Sequence, residues 1–283
     1  MPALNVLTLN CHMGFDLLNR RFVLHELREA VRSVGADVVF LQEVMGEHAL
    51  HRKKQATWPD APQYEFLADS IWSHAAYGRN AVYPHGHHGN ALLSKYVIAT
   101  HRNRDVSIHG HEERGLLHCE IDVDGTAHPL HAICVHLGLR EAHRREQLRL
   151  LCCVVTDEIP ADAPLIVAGD FNDWRARGHP LLAACGLREV FLAASGRLAR
   201  TFPARWPLLP VDRIYVRNLE ATEPRVLSTQ PWSHLSDHAP LAARAAPGQA
   251  HHATRAASGA WSDRCDHGCV DNTRASVARR LRT

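Results

Sequence analysis

The feature that most constrains the fold of this chain is a series of short apolar runs rich in β-branched residues. Runs of this length, separated by polar segments, are typical of buried strands. Apolar residues at helical spacing are clearest in residues 19–34 and 140–158. Strands therefore outnumber helices, and the sequence predicts an α/β or α+β fold. The strand-like runs are residues 4–9, 37–41, 91–94, 115–123, 131–135, 165–168, 213–216 and 240–245.

Polar residues capable of chemistry stand at the ends of these runs. Those that follow a run are Asn10, Glu43, His136, Asp170 and Asn172. Those that precede a run are Asp212, Asp237 and His238. In a sheet with antiparallel neighbours, some strands end at the edge where others begin, so all these residues can share one rim. Rims of this kind are where rigid scaffolds carry functional sites.

The set contains two kinds of chemical group. Carboxylates and amide oxygens are hard ligands that suit Mg²⁺ or Mn²⁺ rather than zinc. Imidazoles titrate near neutral pH and can move protons. A hard cation beside an imidazole base suits attack of water on phosphorus, because the metal neutralises phosphoryl charge while the base activates the nucleophile. Phosphoester hydrolysis is therefore the predicted reaction class.

Several other reaction classes lack their sequence signatures. The chain has no GxSxG elbow, no GxxxxGK[ST] loop and no HExxH motif, so the serine hydrolase, P-loop NTPase and zincin hypotheses have no support. His85, His87 and His88 could bind a transition metal, but the GNH[DE] and GHxH elements of dimetal phosphoesterases are missing. The favoured interpretation of this segment is a mobile loop at the mouth of the site.

Charge and cysteine usage narrow the class of protein. Residues 246–283 hold six arginines and three aspartates, a surplus of +3 in a chain of formal net charge +2, so residues 1–245 carry about −1. This body lacks the basic footprint of a protein that binds mainly through DNA phosphates. Eight cysteines without a CxxC pair, together with no transmembrane segment and no export signal, predict a soluble cytoplasmic protein.

The order of seven short motifs is much more specific than any one of them. The motifs are TLNCH (8–12), LQEV (41–44), GNALLSK (89–95), VHLG (135–138), AGDFND (168–173), VDRIYV (211–216) and LSDHAPL (235–241). In this order they resemble the endonuclease/exonuclease/phosphatase superfamily, which has a DNase I-like fold. Within the superfamily, the segments NRRFVLHELREAV and HLGLREAHRREQL are similar to those of a bacterial branch, the YbhP-like proteins.

The resemblance covers residues 1–245 and implies one endonuclease/exonuclease/phosphatase domain. The implied fold is a four-layer α/β sandwich, in which two mixed β-sheets pack face to face and are flanked by helices, with the site at one rim. Residues 246–283 lie outside the resemblance. Because they contain few sizeable apolar side chains, we expect a disordered basic tail there.

The family motifs also imply roles for individual residues. Glu43 would be the principal ligand of Mg²⁺, with Mn²⁺ as a substitute, and Asn10 would stand beside it. His238 would be the base that activates water, and Asp212 would hydrogen-bond His238 and fix its tautomer. Asp237 would approach the metal or structure the loop that carries the base.

The remaining family positions concern the substrate. Asp170 and Asn172 would line the scissile phosphate, with Asn172 donating to a phosphate oxygen and Asp170 helping to position the nucleophile or leaving group. His136 occupies the place where the DNase I-like and sphingomyelinase-like branches carry histidine and the abasic-site endonucleases usually carry tyrosine. The resemblance therefore points away from an abasic-site repair enzyme.

Three further residues are candidate substrate contacts. His12 is chosen by position, two residues beyond Asn10, and a packed or solvated histidine fits it equally well. Asn90 is expected in a Gly-flanked turn before a strand. Arg114 precedes a strand-like run and could pair with a phosphate in bidentate fashion, although an exposed strand-end arginine is the equal alternative.

The residues and the resemblance together predict a Mg²⁺-dependent phosphoesterase, specifically a phosphodiesterase that uses a His-activated water. A nucleic-acid substrate is the family default. A phosphodiesterase or phosphatase acting on a lipid or inositol headgroup is the alternative, which the near-neutral body and His136 favour. A catalytically silent binding module is a third hypothesis, although every expected catalytic position is filled. The sequence implies no particular protein partner.

Overall fold

The computed structural model describes residues 1–108 and 112–248, and within them it forms two mixed sheets. The strands are β1 (Leu4–Asn10), β2 (Val38–His48), β3 (His74–Tyr83), β4 (Gly86–Ser94), β5 (Val97–Asp105), β6 (Gly115–Asp122), β7 (Leu130–His136), β8 (Leu165–Asp170), β9 (Arg188–Glu189), β10 (Asp212–Arg217), β11 (Leu219–Val226) and β12 (Leu241–Pro247). The first residues of the predicted tail, Ala246 and Pro247, lie in β12, and from residue 249 onward the tail lies outside the described residues.

Each sheet has six strands. Their orders are β11-β12-β1-β2-β4-β3 and β5-β6-β7-β8-β10-β9. Strands β1 and β2 run parallel, as do β7 and β8, whereas the remaining neighbours are antiparallel. As a result β1, β2, β7 and β8 end where β4, β6, β10 and β12 begin. We call this end of the sandwich the site edge and the opposite end the far edge.

The sheets pack face to face because alternate residues of their central strands are apolar. Leu4 and Val6 of β1 share one buried cluster with Ala132 and Cys134 of β7. Two further clusters place helices on the outer faces, α1 and α3 on the first sheet and α4 and α5 on the second. The helices are α1 (Leu24–Val34), α2 (Ala49–Lys54), α3 (Gln63–Ala68), α4 (Glu141–Cys153), α5 (His179–Ala184) and α6 (Val190–Ser195). The predicted four-layer α/β sandwich is confirmed.

Both predicted helices are shorter than their apolar patterns. Helix α1 begins at Leu24, because the Asp16 carboxylate accepts the backbone N–H groups of Arg20 and Arg21 and holds residues 16–21 in a turn. Helix α4 ends at Cys153 and continues as a π-helical turn over Val154–Glu158. A disulfide joins Cys152 to Cys185, which the expectation of a reducing compartment did not include.

Four strands and one hairpin were missed by the sequence analysis. Strand β9 has two residues, β5 and β11 are rich in polar residues, and β5 is exposed over most of its length. Strand β3 (HAAYGRNAVY) has no apolar run longer than three residues. The expected mobile histidine loop was wrong, because β3 and β4 form a hairpin in which His87 and His88 pair with Val82 and Ala81. No helix in the described part of the chain is long and apolar enough to cross a membrane.

Candidate active site

The strand-end residues of the second sheet stand side by side at the site edge. In the sheet register, His136 of β7 and Asp212 of β10 flank Asp170 of β8. Gly169 makes this spacing possible, because its φ is +144° and an added Cβ would lie 2.0 Å from the Val135 carbonyl oxygen. A side chain at that position would push β8 away from β7.

The first sheet contributes Glu43 through an irregularity in β2. The pairing of β2 with β4 shifts register between Leu41 and Val44, and Glu43 has a φ of 53°. A bulge of this kind re-aims a side chain, and bulges are frequent beside active sites. The Asn10 amide nitrogen lies 3.3 Å from Glu43 Oε1 and 3.5 Å from Asp170 Oδ2. Asn10 therefore joins the site residues of the two sheets.

His238 and Asp212 form a buried hydrogen-bonded pair. His238 Nδ1 lies 2.8 Å from Asp212 Oδ2. The ring of Phe202 packs against the imidazole, with 5.1 Å between the two ring centres. Burial alone would lower the pKa of His238, but the charge and hydrogen bond of Asp212 raise that pKa to about 10, with help from Asp170 and Asp237. The second carboxylate oxygen of Asp212 is buried without a hydrogen-bond partner.

Asp170 is the most buried carboxylate of the cluster. Burial raises the pKa of Asp170 to about 7, and the charges of Asp212 and Glu43 act in the same direction. The backbone N–H and the amide of Asn172 both donate to it, at 2.9 and 3.1 Å. Since the Asn172 amide also donates to the Leu137 carbonyl at 2.9 Å, a phosphate oxygen would have to compete for those hydrogens.

His136 lies between two carboxylates and is almost fully buried. Its Nε2 atom is 3.5 Å from Asp170 Oδ2 and 3.9 Å from Glu43 Oε1. Burial, reinforced by the charge of Arg114, holds the pKa of His136 well below its usual value. This imidazole is therefore neutral near pH 7, and it can donate one hydrogen bond without adding a charge.

A second histidine–carboxylate pair supports the loop that carries His238. His12 Nδ1 lies 3.1 Å from Asp237 Oδ1. Burial would raise the pKa of Asp237, but the hydrogen bond from His12 holds it below its usual value. Ser236 Oγ donates to the Asn10 carbonyl at 2.7 Å and accepts the His238 backbone N–H at 3.2 Å. No local sequence signal indicated this role of Ser236.

The other two candidate substrate contacts differ in their settings. Arg114 Nε donates to the Leu137 carbonyl at 3.3 Å, the oxygen that also accepts Asn172, so Arg114 lies beside the site. The turn expected at Asn90 was wrong. Asn90 lies within β4 and is fully buried, and its amide donates to the carbonyls of Gly115 and Cys134. It thus bridges the two sheets.

The donor set fits a hard divalent cation. In the described residues, ligand atoms of Asp170, Asp212 and His238 lie within 4.8 Å of one another, and Oδ1 of Asp212 is buried without a hydrogen-bond partner. Glu43 and Asp237 add carboxylates around it, as hard cations require. The Asn10 oxygen accepts the His12 N–H at 3.0 Å, so this amide would have to turn over to offer its oxygen to a cation.

Comparison with known proteins gives relatives in sequence and in structure. The sequence model described as "Endonuclease/Exonuclease/phosphatase family" matches residues 7–238. The chain is 57% identical over 242 residues to the uncharacterized protein YbhP of Escherichia coli (strain K12), covering 85% of this chain and 95% of the relative. It superposes on the endonuclease/exonuclease/phosphatase from Beutenbergia cavernae DSM 12333 with a TM-score of 0.69 at 19% identity, covering 88% of this chain and 72% of that one.

One further solved structure of similar fold is a complex with nucleic acid. D. rerio TDP2, described as complexed with single strand DNA product, superposes with a TM-score of 0.62 at 18% identity. The alignment covers 87% of this chain and 100% of that one. At this identity the likeness shows a shared fold.

Proposed function

The chain belongs to the endonuclease/exonuclease/phosphatase family, and from that premise we propose that it is a divalent-metal-dependent phosphodiesterase that activates water with His238. The observation that carries the proposal is the buried Asp212–His238 pair, which stands beside Asp170 and under the charges of Glu43 and Asp237. A base, its orienting acid and a cation-binding set are the parts that metal-assisted hydrolysis needs.

Individual residues of the chain have separate roles in the proposed hydrolysis. Asp212 accepts the Nδ1 proton of His238, so Nε2 is the nitrogen that takes the proton from water. Neutral His136 and Asn172 supply hydrogen-bond donors beside Asp170, where the phosphate would lie. When bound by Glu43 and its neighbouring carboxylates, Mg²⁺ or Mn²⁺ would neutralise phosphoryl charge and offset the negative field around His238.

The substrate class follows less directly from the site than the reaction does. A nucleic-acid substrate is supported by the description of one structural neighbour as bound to a single strand DNA product. A lipid or inositol phosphodiester is supported by the near-neutral charge of residues 1–245. Both substrates present the same phosphodiester to the same residues.

The test is cleavage of a panel of phosphate esters in Mg²⁺ by wild type and by matched variants. The panel contains bis(4-nitrophenyl) phosphate, supercoiled plasmid, oligonucleotides and phospholipid vesicles. His238→Ala should lower turnover by roughly 10²–10⁴-fold. His234→Ala is the control, because His234 is an exposed histidine in the same loop.

A second pair of variants tests the cation-binding carboxylates. Glu43→Gln should abolish the dependence on Mg²⁺, whereas Glu47→Gln, on an exposed glutamate of the same strand, should keep it. Wild-type rates in His238→Ala would overturn the proposal. Folded protein without turnover on any ester would favour the binding-module hypothesis instead.

A further inference from the structure

Large apolar side chains are exposed mainly at the site edge. Eight of them stand out in the described residues, and only Val97, at the start of β5, lies at the far edge. The other seven lie on β3 near its hairpin, on α2 after β2, or in loops next to the site strands. We call these seven residues the apolar rim: Leu18, Leu50, Val82, Leu139, Trp174, Trp206 and Leu208.

The loops that expose the rim are the loops that hold the site. Trp174 is two residues beyond Asn172 and is 47% exposed. Trp206 is 65% exposed in a loop whose Phe202 packs on His238, and the Ala204 N–H of that loop donates to the Asp237 carbonyl at 2.7 Å. A surface that covers these tryptophans therefore also covers the mouth of the site.

Internal contacts hold both tryptophan loops in place. The buried Asp173 carboxylate accepts the backbone N–H groups of Arg177 and Gly178, at 3.1 and 2.8 Å. In the other loop, Phe202 and Leu209 pair as an isolated bridge. The tryptophans are thus presented on fixed loops. Clustered exposed apolar groups on a rigid surface mark an interaction site.

The charge beside Leu18 and the two tryptophans of the rim is basic, whereas Glu113 and Glu112 accept the backbone N–H groups of Val82 and Leu139. The guanidinium of Arg175 lies 4.4 Å from the ring centre of Trp174, and that of Arg205 lies 4.8 Å from the ring centre of Trp206. The loops over residues 11–23, 171–178 and 196–211 contain seven arginines and two aspartates. Tryptophan and leucine beside arginine are the side chains that bind the interface of an anionic membrane.

We propose that the apolar rim docks the site edge on a lipid bilayer that carries anionic headgroups. The tryptophans and leucines would enter the interface while the arginines face lipid phosphates. A single-stranded nucleic acid would use the tryptophans and arginines by stacking, but it gives no reason to expose Leu18, Leu139 and Leu208. This docking goes beyond the proposed function, because it requires no turnover.

Cosedimentation of the full chain with vesicles tests the docking. Wild type should bind mixed vesicles of phosphatidylcholine and phosphatidylglycerol. It should bind vesicles of phosphatidylcholine alone more weakly. Trp174→Ala and Trp206→Ala should each weaken binding about tenfold, since each removes one buried aromatic group from the interface. Val97→Ala is the matched control, with 49% exposure at the far edge, and should bind as wild type does.

Two further measurements separate the alternatives. Brominated lipid should quench tryptophan fluorescence less in Trp206→Ala than in wild type. His238→Ala should bind vesicles normally even where it has lost turnover, so failure of docking and failure of catalysis remain distinguishable. Docking is overturned if wild type does not sediment with anionic vesicles, if Val97→Ala loses as much as the tryptophan variants, or if the tryptophan variants lose only oligonucleotide binding.

Discussion

The two edges of the sandwich are formed by opposite ends of the same strands, but the contacts between residues differ at the two edges. At the far edge, turns are tied by ordinary contacts: the Asn218 amide donates to the carbonyls of Ala161 and Ala163, both at 2.8 Å, and Lys95 pairs with Asp37 at 2.9 Å. Left-handed backbone conformations occur at both edges, at Asn218 and at Glu43 and Asn172, but at the site edge four carboxylates also crowd together.

This difference shows which part of the fold contains locally unfavourable interactions. Buried polar atoms without partners at the site edge include Nε2 of His12, Nδ1 of His88 and Oδ1 of Asp212. Groups of this kind destabilise a protein unless something else, such as a ligand, satisfies them. Because Nε of Arg217 at the far edge is also buried without a partner, the crowded carboxylates are what sets the site edge apart.

The largest expected effect comes from removing the charge that orients the base. Asp212→Asn keeps the shape of the side chain but replaces the carboxylate beside His238 Nδ1 with a neutral amide. Turnover should therefore fall by roughly 10²–10⁴-fold. Asp162→Asn, at the far edge, is the control and should leave turnover unchanged. Steady-state rates on bis(4-nitrophenyl) phosphate make the comparison, and equal losses in both variants would contradict it.

The site edge should also control how stability depends on pH without metal. Because the folded pKa of His238 is raised to about 10, its contribution is complete below pH 6.5 and is lost as pH rises toward 10. The burial of Asp170, with a pKa of about 7, acts in the same direction below pH 7. Urea unfolding in EDTA should show wild type losing on the order of 2 kcal/mol between pH 7 and pH 8.5.

His238→Gln is the variant that isolates this effect. It removes the titrating group, so its stability should stay nearly flat between pH 7 and pH 8.5, below the pH at which the buried thiols of Cys11, Cys119 and Cys134 begin to destabilise the fold. An equal decline in wild type and His238→Gln would assign the pH dependence to other groups.

Two glycines with left-handed φ values provide a matched comparison of the edges in stability. Gly169→Ala would force a Cβ to within 2.0 Å of the Val135 carbonyl, so we expect a loss of about 3 kcal/mol or more together with lost turnover. Gly35→Ala meets nothing within 4 Å and should cost only about 1 kcal/mol, with turnover intact. Chemical denaturation and rate measurements on both variants test the difference.

Added metal should stabilise the protein through the site edge. At a Mg²⁺ concentration 100 times its Kd, the stabilisation would be about 2.7 kcal/mol, which raises the melting temperature. Glu43→Gln should reduce this thermal shift, and Asp162→Asn should keep it. A shift that survives Glu43→Gln unchanged would remove Glu43 from the metal site.

The smallest effect is expected at the far edge. Lys95→Met removes the ion pair with Asp37, which is partly exposed, so unfolding free energy should change by about 1 kcal/mol or less. Turnover and vesicle binding should not change. A loss comparable to that of Gly169→Ala would mean that the far edge is as sensitive as the site edge.

Much of the fold could be predicted because buried strands leave a strong pattern in a sequence. Strands β1, β7 and β8 are wholly or almost wholly buried, and their apolar runs were recognised. Strands β5 and β11 were missed because their exposed faces carry polar residues, and their pairing depends on neighbours that a local pattern does not show. The family resemblance, confirmed by the match over residues 7–238, supplied the four-layer arrangement.

The grouping of the strand-end residues could be predicted from the sequence, but their connections could not. Strand ends located His136, Asp170 and Asp212, which the sheet register brings together. Ser236 and the bridging position of Asn90 were not predictable, because their contacts cross between distant segments. The separate roles of the metal-binding and substrate-binding residues stay predictions.

The bond from Ser236 to the Asn10 carbonyl has a consequence for synthesis on the ribosome. It joins positions 226 residues apart, and β12 pairs with β1 only after nearly all of the domain has been made. An unfinished chain already contains Glu43 and Asp170 but lacks His238 and its supporting loop. Since chains emerge with the N-terminus first, the proposed site can assemble only when translation of the domain is complete.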